Sequence, residues 1–195
     1  VSDEYPLIYL SGHDNSINAM TVYRLTKEDG KYNLTLVQTI GLPSVTDLDF
    51  DINAADINLY NGNLYAFGYK YSTYQAPSQG VNTMRVANLG AIPTLASGDT
   101  SITTVVDAFD INENMAYYQA NCIYNGIMYV TFGLRIAAID LANQTIEINR
   151  LPIINVETEA LFMYKSDMYM VGYPEAGIYS DTRNAQVWYL EFLNS

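Results

Sequence analysis

Cations are scarce in this chain: nine Lys and Arg stand against 21 Asp and Glu, for a formal charge of −12 over 195 residues. A field of that sign repels phosphate backbones and anionic lipid headgroups, so no nucleic-acid partner and no membrane surface is expected. There is one cysteine, Cys122, so no intrachain disulfide can form. It lies in the apolar run 120–124, where a buried, inert thiol is expected. The single histidine, His13, excludes His₂ and His₃ metal sites, and no Gly-x-Ser-x-Gly elbow supplies a nucleophile for a triad built on it. No apolar stretch is long enough to span a bilayer, so membrane insertion is not expected. No segment carries a sustained 3.6-residue apolar period with caps, so no substantial helix is expected either.

What the chain does have is apolar bulk (49% of residues) and 18 tyrosines. A core is available, which excludes disorder. Scarce Lys with abundant Asn, Thr, Ser and Tyr fits an extracellular or cell-surface setting. The chain starts at Val1, as a processed mature form or an excised fragment would.

Self-comparison gives the strongest signal. The segment Leu59-Tyr60-Asn61-Gly62-Asn63-Leu64-Tyr65 recurs as Ile123-Tyr124-Asn125-Gly126-Ile127-Met128-Tyr129, and more loosely as Met163-Tyr164-Lys165-Ser166-Asp167-Met168-Tyr169. Each copy is an apolar run, a tight turn and a second apolar run. Asn-Gly supplies the two positive-φ residues of a type I′ hairpin turn. A glycine follows each copy (Gly68, Gly133, Gly172), and Tyr9 with Gly12 matches the same pattern near the N-terminus. A third strand follows in every unit: 20–25, 84–89, 136–141 and 187–192. A fourth is clearest at 32–40 and 145–149, where Leu-Pro ends the run. With the strands lettered a to d, units 5–43, 45–111, 112–156 and 157–193 make one domain over 1–195. They hold fourteen strands, with a missing from the first unit and d from the last. Strands b and c are expected to be buried in every unit. The expected fold class is all-β, a β-propeller or propeller fragment of about four antiparallel blade units. Three arrangements answer the two incomplete units, an abbreviated four-bladed ring, further blades or a neighbouring chain adding strands, and one of the latter two is expected.

At these residues the chain resembles the β-propeller superfamily. The stretch Ile136 to Ile148 looks like the blade repeat of bacterial and archaeal surface propellers of the YVTN and quinoprotein-like type. The strand Leu64-Tyr65-Ala66-Phe67-Gly68 looks like a kelch blade without its Gly-Gly doublet. The resemblance implies a fold and carries no catalytic residues.

In an antiparallel blade the a–b and c–d turns fall at one end, and the b–c and d–a connections at the other. Here the a–b turns are minimal, while the b–c connections from Gly68 to Asn82 and from Gly172 to Gln186 are long and polar. Insertions collected at one end of a repeat mark its binding face. That face would carry His13, Asp14, Tyr71, Tyr74, Gln75, Glu175, Tyr179, Asp181 and Arg183. Planar rings beside amides and carboxylates suit a glycan or a polar protein surface. Tyr65, Tyr129 and Tyr169, at repeat-equivalent strand positions, read as packing residues, and so does Trp188.

Asp47, Asp49 and Asp51 alternate with Leu48, Phe50 and Ile52, placing three carboxylates on one face of an extended segment, a candidate Ca²⁺ site. An EF-hand loop has Gly and Glu where Ile52 and Asn58 stand, so a solvated strand face or an acid-capped turn fits better. No other cofactor is expected. Asn33-Leu34-Thr35 and Asn143-Gln144-Thr145 are N-glycosylation sequons at or just after c–d turns. The leading expectation is a non-enzymatic extracellular or cell-surface binding module. Its alternatives are a propeller-type hydrolase, lyase or lactonase using acidic residues on that face, and a structural assembly subunit.

Overall fold

The computed structural model describes residues 7–11, 19–43, 49, 56–70, 83–93, 95, 100–113, 115, 118–151, 156–174 and 186–190. Among them there is no helix. The period-2 apolar pattern becomes fifteen strands: β1 (Leu7–Ser11), β2 (Ala19–Glu28), β3 (Lys31–Gly41), β4 (Asp56–Tyr60), β5 (Asn63–Tyr69), β6 (Met84–Ala91), β7 (Thr100–Ser101), β8 (Asp107–Ile111), β9 (Tyr118–Tyr124), β10 (Ile127–Phe132), β11 (Arg135–Asp140), β12 (Thr145–Arg150), β13 (Val156–Tyr164), β14 (Asp167–Pro174) and β15 (Gln186–Leu190).

They form four small sheets with the strand orders β1-β2-β3-β7, β4-β5-β6-β8, β9-β10-β11-β12 and β13-β14-β15. The fold is all-β, built of four propeller-type blades. Tight turns set the registers. Asn61-Gly62 and Asn125-Gly126 take positive φ (48° and 75°, 49° and 80°), pairing Tyr60 with Asn63 and Tyr124 with Ile127. Lys165 takes φ 58° at the third, looser copy of the turn.

Contacts divide the chain into two compact units, Val1–Tyr74 with Arg85–Asp110, and Gln75–Met84 with Ile111–Ser195. In the first, Met20, Val22 and Ile40 from one blade pack with Leu64, Ala66, Ala87 and Leu89 from the next. In the second, Ala120, Cys122 and Ile136 pack with Leu161, Met168 and Met170. Cys122 is buried as its apolar setting implied, and burial pushes its thiol pKa up to about 12. Tyr65, Tyr129 and Tyr169 are half-buried packing rings. Tyr65 lies against Tyr60, Tyr129 faces Cys122 across the ladder, and Tyr169 stacks on Phe162 with centroids 5.6 Å apart.

Two features depart from the sequence reading. β7, one strand beyond the fourteen expected, is two residues long and pairs parallel with β3, giving the first blade its fourth strand. A two-residue strand has no periodicity to read. Its approach is close: a Cβ on Gly41 would meet Ser101 Oγ at 2.9 Å, and Gln38, buried, donates through Nε2 to Thr100 Oγ1 at 3.0 Å. Second, the c strands are not uniformly buried. β6 and β11 are largely buried, whereas Val187 and Tyr189 of β15 are exposed. β15 is the last strand in the order of a three-stranded sheet, whereas β6 and β11 have a neighbour on each side. Trp188's side chain lies outside the described residues.

Candidate functional site

The described strands are spaced unequally along the chain. Between the described strands, the a–b turns of the last three blades are two residues (61–62, 125–126, 165–166); β10 and β11 are separated by 133–134 alone, whereas β1 and β2, β5 and β6, and β14 and β15 are separated by positions 12–18, 70–83 and 175–185, nearly all of them outside the described residues. The nine residues expected to carry the binding face (His13, Asp14, Tyr71, Tyr74, Gln75, Glu175, Tyr179, Asp181 and Arg183) all lie outside the described residues, as do Asp47 and Asp51. What is described is the base on which the β5–β6 connection stands.

Lys70 is the first residue after β5 and Arg85 the second residue of β6, so the two cations flank the connection. Asp110, on β8, holds both. Its Oδ2 accepts a hydrogen bond from Lys70 Nζ, and its Oδ1 accepts one from Arg85 Nε at 2.8 Å. Asp49 adds a second carboxylate, 3.7 Å from Lys70 Nζ and 4.0 Å from Arg85 Nη1. All four side chains are partly shielded from water, which strengthens the pairing relative to a fully exposed bridge. Burial raises the Asp110 carboxyl, but the hydrogen bonds and charges of Lys70 and Arg85 outweigh it and hold the group below the ordinary carboxylate range. Two cations and two carboxylates thus tie the stems of the connection to the fourth strand of its blade.

Of Asp47, Asp49 and Asp51 only Asp49 is described; it sits in a turn with φ 46°, and its carboxylate faces Lys70 and Arg85. Among the described residues no group of three or more His, Cys, Asp or Glu is placed to hold a metal ion. The clamp was missed from sequence, although a signal existed. In a chain with nine basic residues, one stands at each end of the longest b–c connection. Asp110 also lies in Phe109-Asp110-Ile111, which echoes Phe50-Asp51-Ile52.

In the third blade, Asp140 organises the β11–β12 turn. Its Oδ1 accepts from the Ala142 and Asn143 amides, both at 2.9 Å, and its Oδ2 accepts from Asn143 Nδ2 at 2.8 Å. The Asn143 backbone and side-chain bonds hold this carboxyl below its usual range despite some desolvation. The sequon asparagine Asn143 is therefore in the turn, as expected, with its amide engaged; Asn33 is exposed on β3.

Comparison with known proteins adds no assignment: no family model and no curated protein matches the chain.

The clamp makes a testable statement. Asp110→Ala removes the carboxylate that accepts from both Lys70 and Arg85 and leaves Asp49 beside them. It is expected to cost about 1–2 kcal/mol, between an exposed ion pair and a buried charged hydrogen bond. Amide exchange over 70–85 should accelerate more than over β9–β12. Because the folded-state pKa of Asp110 is depressed, its contribution is complete above the unfolded carboxylate value of 3.8 and is lost as pH falls through the lower folded value. Acid should therefore narrow the gap between wild type and Asp110→Ala. A gap that widens on acidification would show that Asp110 does not stabilise as its anion.

Proposed function

We propose that the protein is a non-enzymatic extracellular or cell-surface binding module. Its ligand, a glycan or a polar protein surface, is taken by the connections β1–β2, β5–β6 and β14–β15. The observation that supports this reading is the anchored 70–83 connection. A long polar segment bearing Tyr71, Tyr74 and Gln75 has a charged residue at each stem held by one carboxylate. A rigid base under a recognition loop lowers the ordering cost of binding. Tyr and Trp rings offer contact area at low entropic cost, and amides and carboxylates satisfy hydroxyls. The charge of −12 favours neutral or cationic ligands over polyanions.

The test is a glycan array followed by calorimetry on wild type and on the double variant Tyr74→Ala/Tyr179→Ala. The expected result is saturable binding without turnover, weakened about tenfold or more in the variant. The melting temperature should hardly move, because loop substitutions away from a core are close to neutral. If the variant binds as wild type does, the loops are not the binding face. If it unfolds by several kcal/mol more easily, the two rings belong to a core.

A further inference from the structure

The hairpin β11–β12 sorts its charges by face. Arg135, the first residue of β11, stands opposite Arg150, the last of β12. Direct partners in an antiparallel pair carry their side chains on the same face, so the two arginines are neighbours. The acids lie on the other face, because successive residues of a strand point to opposite sides: Asp140 faces Thr145 and Glu147 faces Ala138. Both acids are engaged there. Asp140 accepts from the turn amides and from Asn143, and Glu147 Oε1 accepts from Asn149 Nδ2 at 3.0 Å. β9 and β10 bring no acid to the sheet. Both arginines are exposed, and among the described residues no carboxylate is within ion-pair distance of either.

Like charges set directly opposite one another on a sheet are destabilising. With 21 acids and only nine Lys and Arg in the chain, an arginine beside an arginine is the pairing that composition favours least. The second blade shows the alternative. There Arg85, near the start of the c strand, meets Asp110 near the end of the fourth strand, and the carboxylate accepts from it at 2.8 Å. In the third blade the c strand again starts with an arginine, but the fourth strand ends in a second one. The acceptor that the second blade supplies from within is not supplied by the third among its described residues. The pair also stands at the b–c end of its blade, where the connection is only Gly133-Leu134 and leaves both arginines open to solvent.

We propose that Arg135 and Arg150 form a carboxylate-binding subsite, which takes one acidic sugar of the uronate type in an otherwise neutral glycan. A guanidinium offers a planar fork that matches a carboxylate, and two forks can share its two oxygens. Charge sets the valence of the ligand. The pair attracts an anion at contact distance, while the −12 of the whole chain opposes every further negative charge. A monoanion is therefore favoured over a phosphate dianion or an acidic polymer. The carboxylate assignment stands on the arginine pair; the glycan that carries it rests on the binding-module reading above.

Titration of the whole chain with sodium glucuronate, followed by NMR at the arginine Nε–H groups, tests the subsite. Saturable shifts are expected at Arg135 and Arg150, and none with glucose. Added salt should weaken the binding. Arg150→Gln should weaken it about tenfold or more and, with the repulsion relieved, melt at or slightly above the wild-type temperature. Arg135→Lys keeps the charge, loses the fork and should also bind more weakly. Glu147→Gln, on the opposite face, should bind as wild type does. The absence of a saturable shift, or an equal response to glucose, overturns the proposal. So does wild-type affinity in Arg150→Gln, or tighter binding of inorganic phosphate or of an acidic peptide than of glucuronate. A melting temperature well below wild type in both arginine variants would make the pair structural and overturns it too. Tyr74→Ala/Tyr179→Ala should leave the glucuronate shifts unchanged, so failure of the loop reading and failure of the subsite are separate results.

Discussion

Phe67→Ala is expected to destabilise the protein by about 3–5 kcal/mol, the usual cost of deleting a fully buried ring from a core that cannot collapse around the void. Among the described residues, Phe67 is the largest side chain with essentially no exposure. It sits on β5, which lies between β4 and β6 in its sheet, so strands on both sides hold its backbone in place. Leu64 and Ala66 occupy the face of β5 that joins the core cluster with Met20, Val22 and Ile40; Phe67 points the other way and is buried as well. The strand is thus covered on both faces near its C-terminal end, and the cavity would open away from that cluster. A thermal melt should move down by roughly 6–20 °C for a chain of this size. Phe67→Leu, which keeps most of the volume, should recover the greater part. Leu59→Ala on the neighbouring β4 should cost far less, because Leu59 is exposed. Equal losses at positions 59 and 67 would mean that the blade does not bury β5 as described.

Gly62→Val should cost about 2 kcal/mol through conformation alone. Gly62 has φ +75°, and a Cβ built on it meets nothing within 4 Å. Steric contact is therefore removed as a cause, leaving the strain of a β-branched L-residue in the left-handed region. Asn tolerates that region, so Gly62→Asn should cost only a few tenths of a kcal/mol in the same open space. The effect should centre on the β4–β5 pairing, where Tyr60 faces Asn63 and Leu59 faces Leu64, and on Ile92, whose amide donates to the Gly62 carbonyl at 2.9 Å. Denaturant melts of the three proteins would check it. If Asn and Val were equally damaging, the turn would need glycine for a reason other than φ.

The recurring Tyr-Asn-Gly hairpins were legible because their signal is local. Two residues of defined φ and alternating apolar neighbours set a turn and a register wherever they occur. From them followed the all-β class, the four blade units and the order of strands within each. The unequal connections were legible for the same reason, since strand ends are marked by Gly and Pro. Cys122 was placed correctly by its apolar neighbours alone.

What local patterns do not encode is which side of a strand finds a partner and which distant residues meet. Met20, Val22, Tyr23 and Leu25 are all apolar by sequence, yet only Met20 and Val22 are fully buried, because successive residues of β2 point to opposite faces and only one of those faces packs into the blade core. β7 exists only because residues 100–101 reach Gly41. Lys70, Arg85, Asp110 and Asp49 are separated by up to sixty-one positions and become one clamp only when β5, β6 and β8 lie in one sheet. The sequence by itself determined the strands, their turns and the end of each blade where long connections collect, because backbone conformation and side-chain alternation are properties of neighbours. Tertiary structure alone decided which apolar face is covered and which charges are paired, because burial and Coulomb attraction depend on distance in space.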